Sequence, residues 1–228
     1  MSVSFRTRTE DAAKLIGIIE ECVFAPCGPR LRMIPFGYET HIPEEIRTLL
    51  RFERTITARH IKFAPDFFVV DVENPEGVYL LEFKATRTPL YSSNRIRSIQ
   101  RETGDPSLGW ESIGQMEALA YDNYVALDGI EVRMTVLNYC AYNENPLRCD
   151  FIGNFKIVHR DVVQTAHLKG SGTPWVNYDL RCIRGLTQFI SNEHRIDHDE
   201  VDSLVTDAQE ALAKALPTKH HDNSPHYR

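Results

Sequence analysis

The most informative part of this chain is a pair of β-rich runs on either side of a short turn: Pro65-Asp66-Phe67-Phe68-Val69-Val70-Asp71-Val72 and Val78-Tyr79-Leu80-Leu81-Glu82-Phe83-Lys84. β-Branched and aromatic residues favour strands, and the intervening Asn74-Pro75-Glu76-Gly77 is typical of a turn. The sequence therefore predicts a β-hairpin. Because both runs are apolar at nearly every position, we expect strands that are covered on both faces.

The register of this hairpin decides whether its polar residues meet. If the turn is centred near Pro75, paired residues have numbers that sum to about 150, so that Asp66 lies opposite Lys84 and diagonal to Glu82. Side chains alternate along a strand, which puts Glu82 and Lys84 on the same face. A shift of one residue would separate the polar groups. In the expected register all three converge.

Two carboxylates that converge call for a cation between them. At a separation of about 4 Å and an effective dielectric constant near 20, they repel each other by roughly 4 kcal/mol. Lys84 offsets part of this repulsion, and a divalent ion would offset more. Carboxylate oxygens suit Mg²⁺, which keeps several waters and shares its coordination with substrate phosphates. The residues therefore predict a metal site that acts on a phosphate ester.

At these residues the chain resembles the PD-(D/E)xK nuclease superfamily, whose signature is an Asp at the start of one strand and an acid-x-Lys on the next. The matching residues are Pro65, Asp66, Glu82 and Lys84. The expected order of elements agrees as well, with helices before the hairpin and, after it, a helix carrying Gln115 and a further strand. The resemblance covers roughly residues 40 to 142. It implies a restriction-endonuclease-like α/β fold, in which helices flank a mixed central β-sheet.

The resemblance also implies a role for each residue of the motif. Asp66 and Glu82 would hold Mg²⁺, or Mn²⁺ in its place, and the backbone carbonyl of Phe83 would be a further ligand. Water activated by the ion would attack phosphorus in line. Lys84 would polarise that water or stabilise charge on the phosphate. A salt bridge from Lys84 to either carboxylate is the structural alternative.

An acid from the helix before the hairpin often completes the site in this superfamily. We select Glu45, because Leu49 one turn further on should bring it to the inward side of a helix that begins at Pro43. Glu44 and Glu39 are the other acids of this region. An exposed acid that stabilises the helix dipole is the structural alternative for each of them.

Gln115 is the remaining catalytic candidate, as a group that orients the water or a phosphate. Relatives that process DNA ends carry a tyrosine four residues after such a glutamine, whereas this chain has Leu119 there. The resemblance therefore favours an endonuclease over an exonuclease. An exposed helix glutamine is the structural alternative.

The segment from Thr86 to Gly109 is polar and turn-rich, and it leaves directly from the strand that carries Lys84. Loops of this length inside a compact domain are often functional. Four arginines in the segment are candidates for contacts with a nucleic-acid backbone: Arg87, Arg95, Arg97 and Arg101. Arginines of a solvated loop are the alternative.

Composition restricts the compartment and the partners. The 228 residues are 42% apolar, enough for one substantial core. With 26 Lys and Arg against 32 Asp and Glu, the net charge is −6, so phosphate contacts must be local. Five cysteines without a Cys-x-x-Cys pair predict reduced thiols. No apolar run reaches the ~18 residues of a membrane span, and no secretory signal is visible, so we expect a cytoplasmic protein.

The remaining elements are predicted from periodicity and caps. We expect helices from Thr9 or Asp11 to about Val23, from Trp110 to Leu127, and from Asp197 or Asp199 through Leu216, with a strand over 130–141 and one or two over 147–163. The prediction is a single nuclease-like domain over residues 1–216, with its core over about 40–142, a helical C-terminal part over about 174–216, and a loose tail over 217–228.

Together these features predict a Mg²⁺-dependent enzyme that hydrolyses DNA phosphodiester bonds, preferably an endonuclease. Paired subunits would suit the cutting of both strands, so a homodimer is part of the hypothesis. Two alternatives stay open. One is a catalytically inactive nuclease-like module that binds nucleic acid or protein, and the other is a nuclease that cleaves RNA.

Overall fold

The computed structural model describes residues 5–28, 30–35, 65–74, 77–87, 91–130, 132–163 and 173–218. Two predictions lie outside these described residues: the helix from Pro43, with the acids Glu39, Glu44 and Glu45, and most of the loose tail over 217–228.

Two β-sheets and the helices that cover them make up the described part of the chain. The strands are β1 (Leu31–Pro35), β2 (Phe67–Asp71), β3 (Tyr79–Thr86), β4 (Ile113–Glu117), β5 (Arg133–Cys140), β6 (Leu147–Phe151), β7 (Ile157–Val163) and β8 (Thr173–Asp179). The α-helices are α1 (Phe5–Ile19), α2 (Ser93–Thr103), α3 (Ala118–Leu127), α4 (Leu186–His194) and α5 (His198–Ala215), and a π-helical turn (Glu20–Phe24) extends α1. Each of these helices is too short or too polar to cross a membrane.

The larger sheet is mixed. Its order is β1-β2-β3-β5-β6, with β3 and β5 parallel and the other pairs antiparallel. The smaller sheet has the order β4-β8-β7 and is antiparallel. The connection from β3 to β5 contains α2, β4 and α3, because parallel neighbours require a long crossover. A mixed central sheet flanked by helices is thus confirmed at the level of fold class.

The predicted hairpin is present, but its register differs from the predicted one by two residues. Phe67 pairs with Leu81 and Val69 pairs with Tyr79, so paired numbers sum to 148. The cause lies in Asp71, whose Oδ1 accepts hydrogen bonds from the backbone N–H groups of residues 73 and 74 at 3.0 and 3.2 Å and starts the turn early. Because side-chain direction repeats every two residues, this shift leaves the polar groups on their predicted face.

Both faces of the hairpin are buried, which explains its apolar sequence. Phe67, Val69, Tyr79, Leu81 and Phe83 pack on one side in a core cluster with residues of α1, α4 and α5. Phe68 and Leu80 pack on the other side in a cluster with residues of β4, β8 and α3. A fully buried side chain of this size contributes about 1.5–3 kcal/mol to stability. Glu82 and Lys84 extend from this second face, toward the smaller sheet.

A buried polar network joins β2, β3 and the end of α4 within the first cluster. His194 is fully buried, and its Nδ1 lies 3.0 Å from Oδ2 of Asp71, which is also fully buried. The hydroxyl of Tyr79 lies 3.1 Å from Nε2 of the same imidazole. Arg30 donates to Oδ1 of Asp71 at 3.4 Å. Burial lowers the pKa of His194, although Asp71 opposes this effect.

The structure corrects the predicted helix over 110–127. Only its second half is helical, as α3, and Ile113–Glu117 form β4 instead. Ile113 and Met116 fit a helical spacing, but they bury in different clusters on the two faces of β4. Gly114 allows the ring of Tyr178 on β8 to pack against the strand, where a Cβ atom would clash. Tertiary pairing with β8 therefore outweighs the local periodicity.

Two further predictions of secondary structure are corrected. The expected loop over 86–109 contains α2, which is capped by Ser92 and ends at Gly104 with φ +70°. Its apolar stripe is narrow, with only Ile96 and Ile99 buried. The C-terminal part begins with the strand β8, which buries Val176 and Tyr178 on alternate positions. The other elements predicted within the described residues are confirmed, including α5 with its N-cap at Asp197, although α1 begins at Phe5 rather than at Thr9 or Asp11.

Candidate functional site

The structure brings Asp66, Glu82 and Lys84 together where β2 begins and β3 approaches its end. Asp66 immediately precedes β2, and its Oδ2 accepts a hydrogen bond from the backbone N–H of Phe83 at 2.8 Å. Lys84 Nζ forms an ion pair with Oε1 of Glu82. The shifted register places Asp66 toward Glu82 rather than toward Lys84. The three charged groups thus form one cluster, as predicted from the alternation of the strands.

Glu82 is the most enclosed member of the cluster, with 8% of its surface exposed. Its Oε2 accepts a hydrogen bond of 3.0 Å from the hydroxyl of Tyr124 on α3, while Oε1 accepts from Lys84. Tyr124 is itself 2% exposed. Burial raises the pKa of Tyr124 well above its usual value, and the neighbouring Glu82 raises it further. The tyrosine therefore remains a neutral donor that fixes the carboxylate.

The carboxyl group of Asp66 is strongly perturbed by its surroundings. Burial raises the pKa of Asp66 to about 7, and the charge of Glu82 adds to this effect. The Phe83 N–H and Lys84 act in the opposite direction. Among the described residues, nothing donates a hydrogen bond to its second oxygen, Oδ1. A cation near Asp66 would favour its charged form, because opposite charge lowers a carboxyl pKa.

Lys84 stays positively charged in this environment. Burial acts to lower the pKa of Lys84, but the nearby carboxylates of Glu82, Asp66 and Glu117 outweigh it, and the pKa is raised. The carboxylates therefore favour the charged form of the amine. Glu117, exposed at the end of β4, contributes a third negative charge to the surroundings.

The inner wall of the cluster is polar. Asn138 is paired with Lys84 in the parallel β3–β5 register and is 4% exposed. Its Oδ1 accepts a hydrogen bond of 2.8 Å from the hydroxyl of Tyr178. Its Nδ2 is buried and has no partner in the part of the chain that the structure describes. A buried donor without a partner costs about 1–3 kcal/mol, so this amide is available to a water or a ligand.

The donor set fits a metal ion of the Mg²⁺ type. In the described ranges no group of three or more His, Cys, Asp and Glu side chains is arranged to hold a metal. Mg²⁺ commonly uses only one or two carboxylates and completes its octahedron with waters and substrate phosphates. Asp66, whose Oδ1 accepts no hydrogen bond from the described residues, and Glu82 beside it supply two such carboxylates. Phe83 lies next to them through its bond to Asp66.

Gln115 does not join this cluster, contrary to the prediction. It lies on β4, where Met116 faces the core shared with the larger sheet, so Gln115 points to the opposite face. Its Nε2 donates to the Tyr91 hydroxyl at 3.0 Å and to Oδ1 of Asn177 at 3.4 Å. The structure thus assigns Gln115 to a polar network on the outer face of the smaller sheet.

The four predicted arginines fall into two classes. Arg87 is bonded to Asp11 on α1, with Nε 2.8 Å from Oδ2. Arg95 forms a 3.3 Å ion pair with Glu102 and contacts His159. These two are engaged within the protein, which argues against the predicted role in phosphate binding. Arg97 and Arg101 instead lie exposed on α2.

Four residues of the site were not predicted from the sequence: Glu117, Tyr124, Asn138 and Tyr178. One of them carried a usable signal: Tyr124 falls on the apolar face of a predicted helix, and a buried tyrosine hydroxyl requires a hydrogen-bond partner. The others come from β4, β5 and β8, whose spatial neighbours cannot be derived from local sequence.

Comparison of the chain with protein-family models, with curated proteins and with solved structures finds no match.

Proposed function

We propose that this protein is a Mg²⁺-dependent nuclease that hydrolyses DNA phosphodiester bonds. The observation that carries the proposal is the convergence of Asp66, Glu82 and Lys84 on one face of the β2–β3 hairpin. Two carboxylates and an amine in a partly enclosed cluster are suited to hold a divalent ion and a phosphate together. Their sequence spacing is that of the PD-(D/E)xK motif.

The topology supports a restriction-endonuclease-like fold. β1, β2 and β3 are antiparallel neighbours in the larger sheet, and β5 returns parallel to β3 after a crossover that contains helices. The hairpin, the helices of the crossover and the parallel β5 agree with the resemblance, whereas the helix expected to carry Gln115 is replaced at that residue by β4. An additional β4 within the crossover belongs to the smaller sheet.

Each residue has a role in the proposed reaction. Asp66 and Glu82 would hold Mg²⁺, or Mn²⁺, with the Phe83 carbonyl, and the bound ion would supply polarisation of the phosphate and a more acidic water. Lys84, charged because carboxylates surround it, would stabilise negative charge on the phosphate. Tyr124 fixes Glu82, and the Phe83 N–H fixes Asp66, so both carboxylates are oriented before substrate binds.

Endonuclease activity is proposed ahead of exonuclease activity. The glutamine that end-processing relatives carry on a helix corresponds here to Gln115, which lies on β4 and is bonded to Tyr91 and Asn177. A homodimer would allow both strands to be cut and belongs to the same proposal. A reaction in which labelled DNA and labelled RNA compete distinguishes cleavage of DNA from cleavage of RNA.

The decisive experiment is a nicking assay on supercoiled plasmid with Mg²⁺, with Mn²⁺ and with a chelator. We expect nicking by the wild type with either metal, and none with chelator or with Asp66→Ala. Glu210→Gln removes an exposed acid from α5 and is the matched control, which should nick like the wild type. Equal nicking by wild type and Asp66→Ala would remove the proposal.

A second candidate function is that of a nuclease-like module that binds nucleic acid without cutting it. One observation favours it: both oxygens of Glu82 are already engaged, by Lys84 and by Tyr124. If this candidate is right, the protein binds DNA equally with and without metal, and Lys84→Ala leaves binding unchanged. Cleavage that depends on metal would exclude it.

A further inference from the structure

A groove of about 700 Å³ lies beside α2, and it is lined by Asn94, Arg97, Gln100, Arg101, Gly104 and Pro106, none of which belongs to the Glu82 cluster. No described carboxylate is among its lining residues, so its charge comes from the two guanidinium groups. This is notable in a chain whose net charge is −6. A local concentration of positive charge on an acidic protein indicates a site for an anionic partner.

Arg97 and Arg101 differ from the neighbouring arginines because they lack an acidic partner among the described residues. Arg87 and Arg95 are bound to Asp11 and to Glu102. Arg101 Nε donates only to the backbone carbonyl of Arg97, at 3.3 Å, which leaves the remaining N–H groups of its guanidinium for a ligand. Both side chains are exposed and stand in the same groove.

The spacing of the two arginines suits a repeating anion. Residues four apart lie on the same face of a helix, about 6 Å from each other along its axis. A guanidinium group can bind a phosphate with two parallel hydrogen bonds. Gly104 ends the helix with φ +70°, and no described atom lies within 4 Å of the position that a Cβ would occupy there. That end of the groove is therefore open to a ligand that continues past it.

We propose that the groove binds the phosphodiester backbone of the DNA substrate, with Arg97 and Arg101 each contacting one phosphate. The assignment rests on the proposed function for the identity of the substrate. Thr86 ends β3 and Ser93 begins α2, so at most about 25 Å of chain separates the strand that carries Glu82 from the helix that carries both arginines.

The test measures binding of a fluorescein-labelled DNA duplex by anisotropy across a range of KCl concentrations, in chelator so that no cleavage occurs. The variants are Arg97→Gln, Arg101→Gln and the double variant. Arg160→Gln is the matched control, because Arg160 is also exposed but already paired with Asp122 at 2.9 Å. Circular dichroism melting checks that each variant is folded.

Each single substitution should reduce the magnitude of the slope of log affinity against log salt by about 0.9, and the double substitution should reduce it by about 1.8. The control should keep the wild-type slope. An unchanged slope in the double variant, or absence of binding by the wild type, would overturn the proposal. So would displacement of the duplex by polyglutamate of equal charge as efficiently as by unlabelled duplex, because the groove would then not select phosphate.

The nicking assay separates this proposal from the proposed function. A reduced salt slope in the double variant, together with no nicking by the wild type, would support DNA binding by the groove and contradict the proposed nuclease activity. Metal-dependent nicking together with an unchanged slope would support the nuclease and reject the groove.

Discussion

The hydroxyl of Tyr124 donates a 3.0 Å hydrogen bond to Oε2 of Glu82, and both side chains are almost fully buried. This bond connects α3, which lies in the crossover, to the strand that carries the acid-x-Lys motif. A carboxylate held on one oxygen by a neutral donor and on the other by Lys84 has a fixed direction. The orientation of a metal ligand by such partners governs both affinity and activity.

Replacement of Tyr124 by phenylalanine should therefore weaken metal binding about 10- to 100-fold, as loss of a partner behind a metal ligand commonly does. Isothermal titration with Mg²⁺ and Mn²⁺ measures the affinity, and the nicking rate at several metal concentrations measures its consequence. Tyr121→Phe, on the same helix and without a bond to Glu82, is the control. Equal effects of the two substitutions would show that the hydroxyl of Tyr124 has no specific role.

Lys84 should affect metal binding and cleavage in opposite directions. Lys84→Met keeps most of the aliphatic stem but removes a cation that competes for Glu82, so we expect tighter binding of Mg²⁺. The same substitution removes the positive charge proposed to stabilise the phosphate, so nicking should fall about 100-fold or more. Parallel titration and nicking experiments test this opposition. Unchanged nicking would contradict the proposed role of the lysine.

The raised pKa of Asp66 predicts a specific dependence of stability on pH in the absence of metal. The carboxyl has a pKa of about 7 in the folded protein and about 3.9 in an unfolded chain. Between these values the folded state binds more protons than the unfolded state. The contribution of Asp66 to the free energy of unfolding is therefore fully present below pH ~4 and falls by up to about 1.4 kcal/mol per pH unit as the pH rises toward 7.

Urea unfolding of the wild type and of Asp66→Asn, at several pH values in chelator, isolates this contribution. We expect the variant to gain stability relative to the wild type as the pH rises from about 4 to 7, and the difference to level off above that. Addition of Mg²⁺ at pH 7 should stabilise the wild type more than the variant. A difference that does not change with pH would show that Asp66 is not perturbed.

The sequence was sufficient to predict the hairpin and its polar face, because both depend on a period of two along the strands. The error in the predicted register did not change the face on which Asp66, Glu82 and Lys84 lie, because a displacement of two residues preserves the direction of each side chain. The early turn comes from hydrogen bonds to the Asp71 side chain. An aspartate just before a turn predicts such hydrogen bonds between its side chain and the backbone N–H groups that follow.

The predicted site residues that the structure places elsewhere depend on contacts between distant parts of the chain. Gln115 belongs to a strand only because β8, more than 50 residues later, is available to pair with it. Arg87 is bonded to Asp11, which lies on α1, 76 residues earlier in the chain. Neither contact has a local pattern. The clear periodicity of α5, with Val201, Val205 and Leu212 on one face, shows the opposite case, in which local pattern and tertiary burial agree.

The Asp71–His194–Tyr79 network should contribute to stability and not to cleavage. It lies in the core cluster on the face of the larger sheet opposite Glu82, and the imidazole is bonded on both nitrogens. His194→Ala removes a partner from two buried polar groups, one of them the carboxylate of Asp71, so we expect a loss of about 3 kcal/mol or more in the free energy of unfolding. The control His198→Ala, at an exposed position of α5, should lower the free energy of unfolding by a few tenths of a kcal/mol at most.

Urea denaturation measures the loss of stability in both variants. Nicking per folded molecule at low temperature should equal that of the wild type in both. A His194→Ala protein that is fully folded and inactive would instead connect this network to the Glu82 cluster through the sheet.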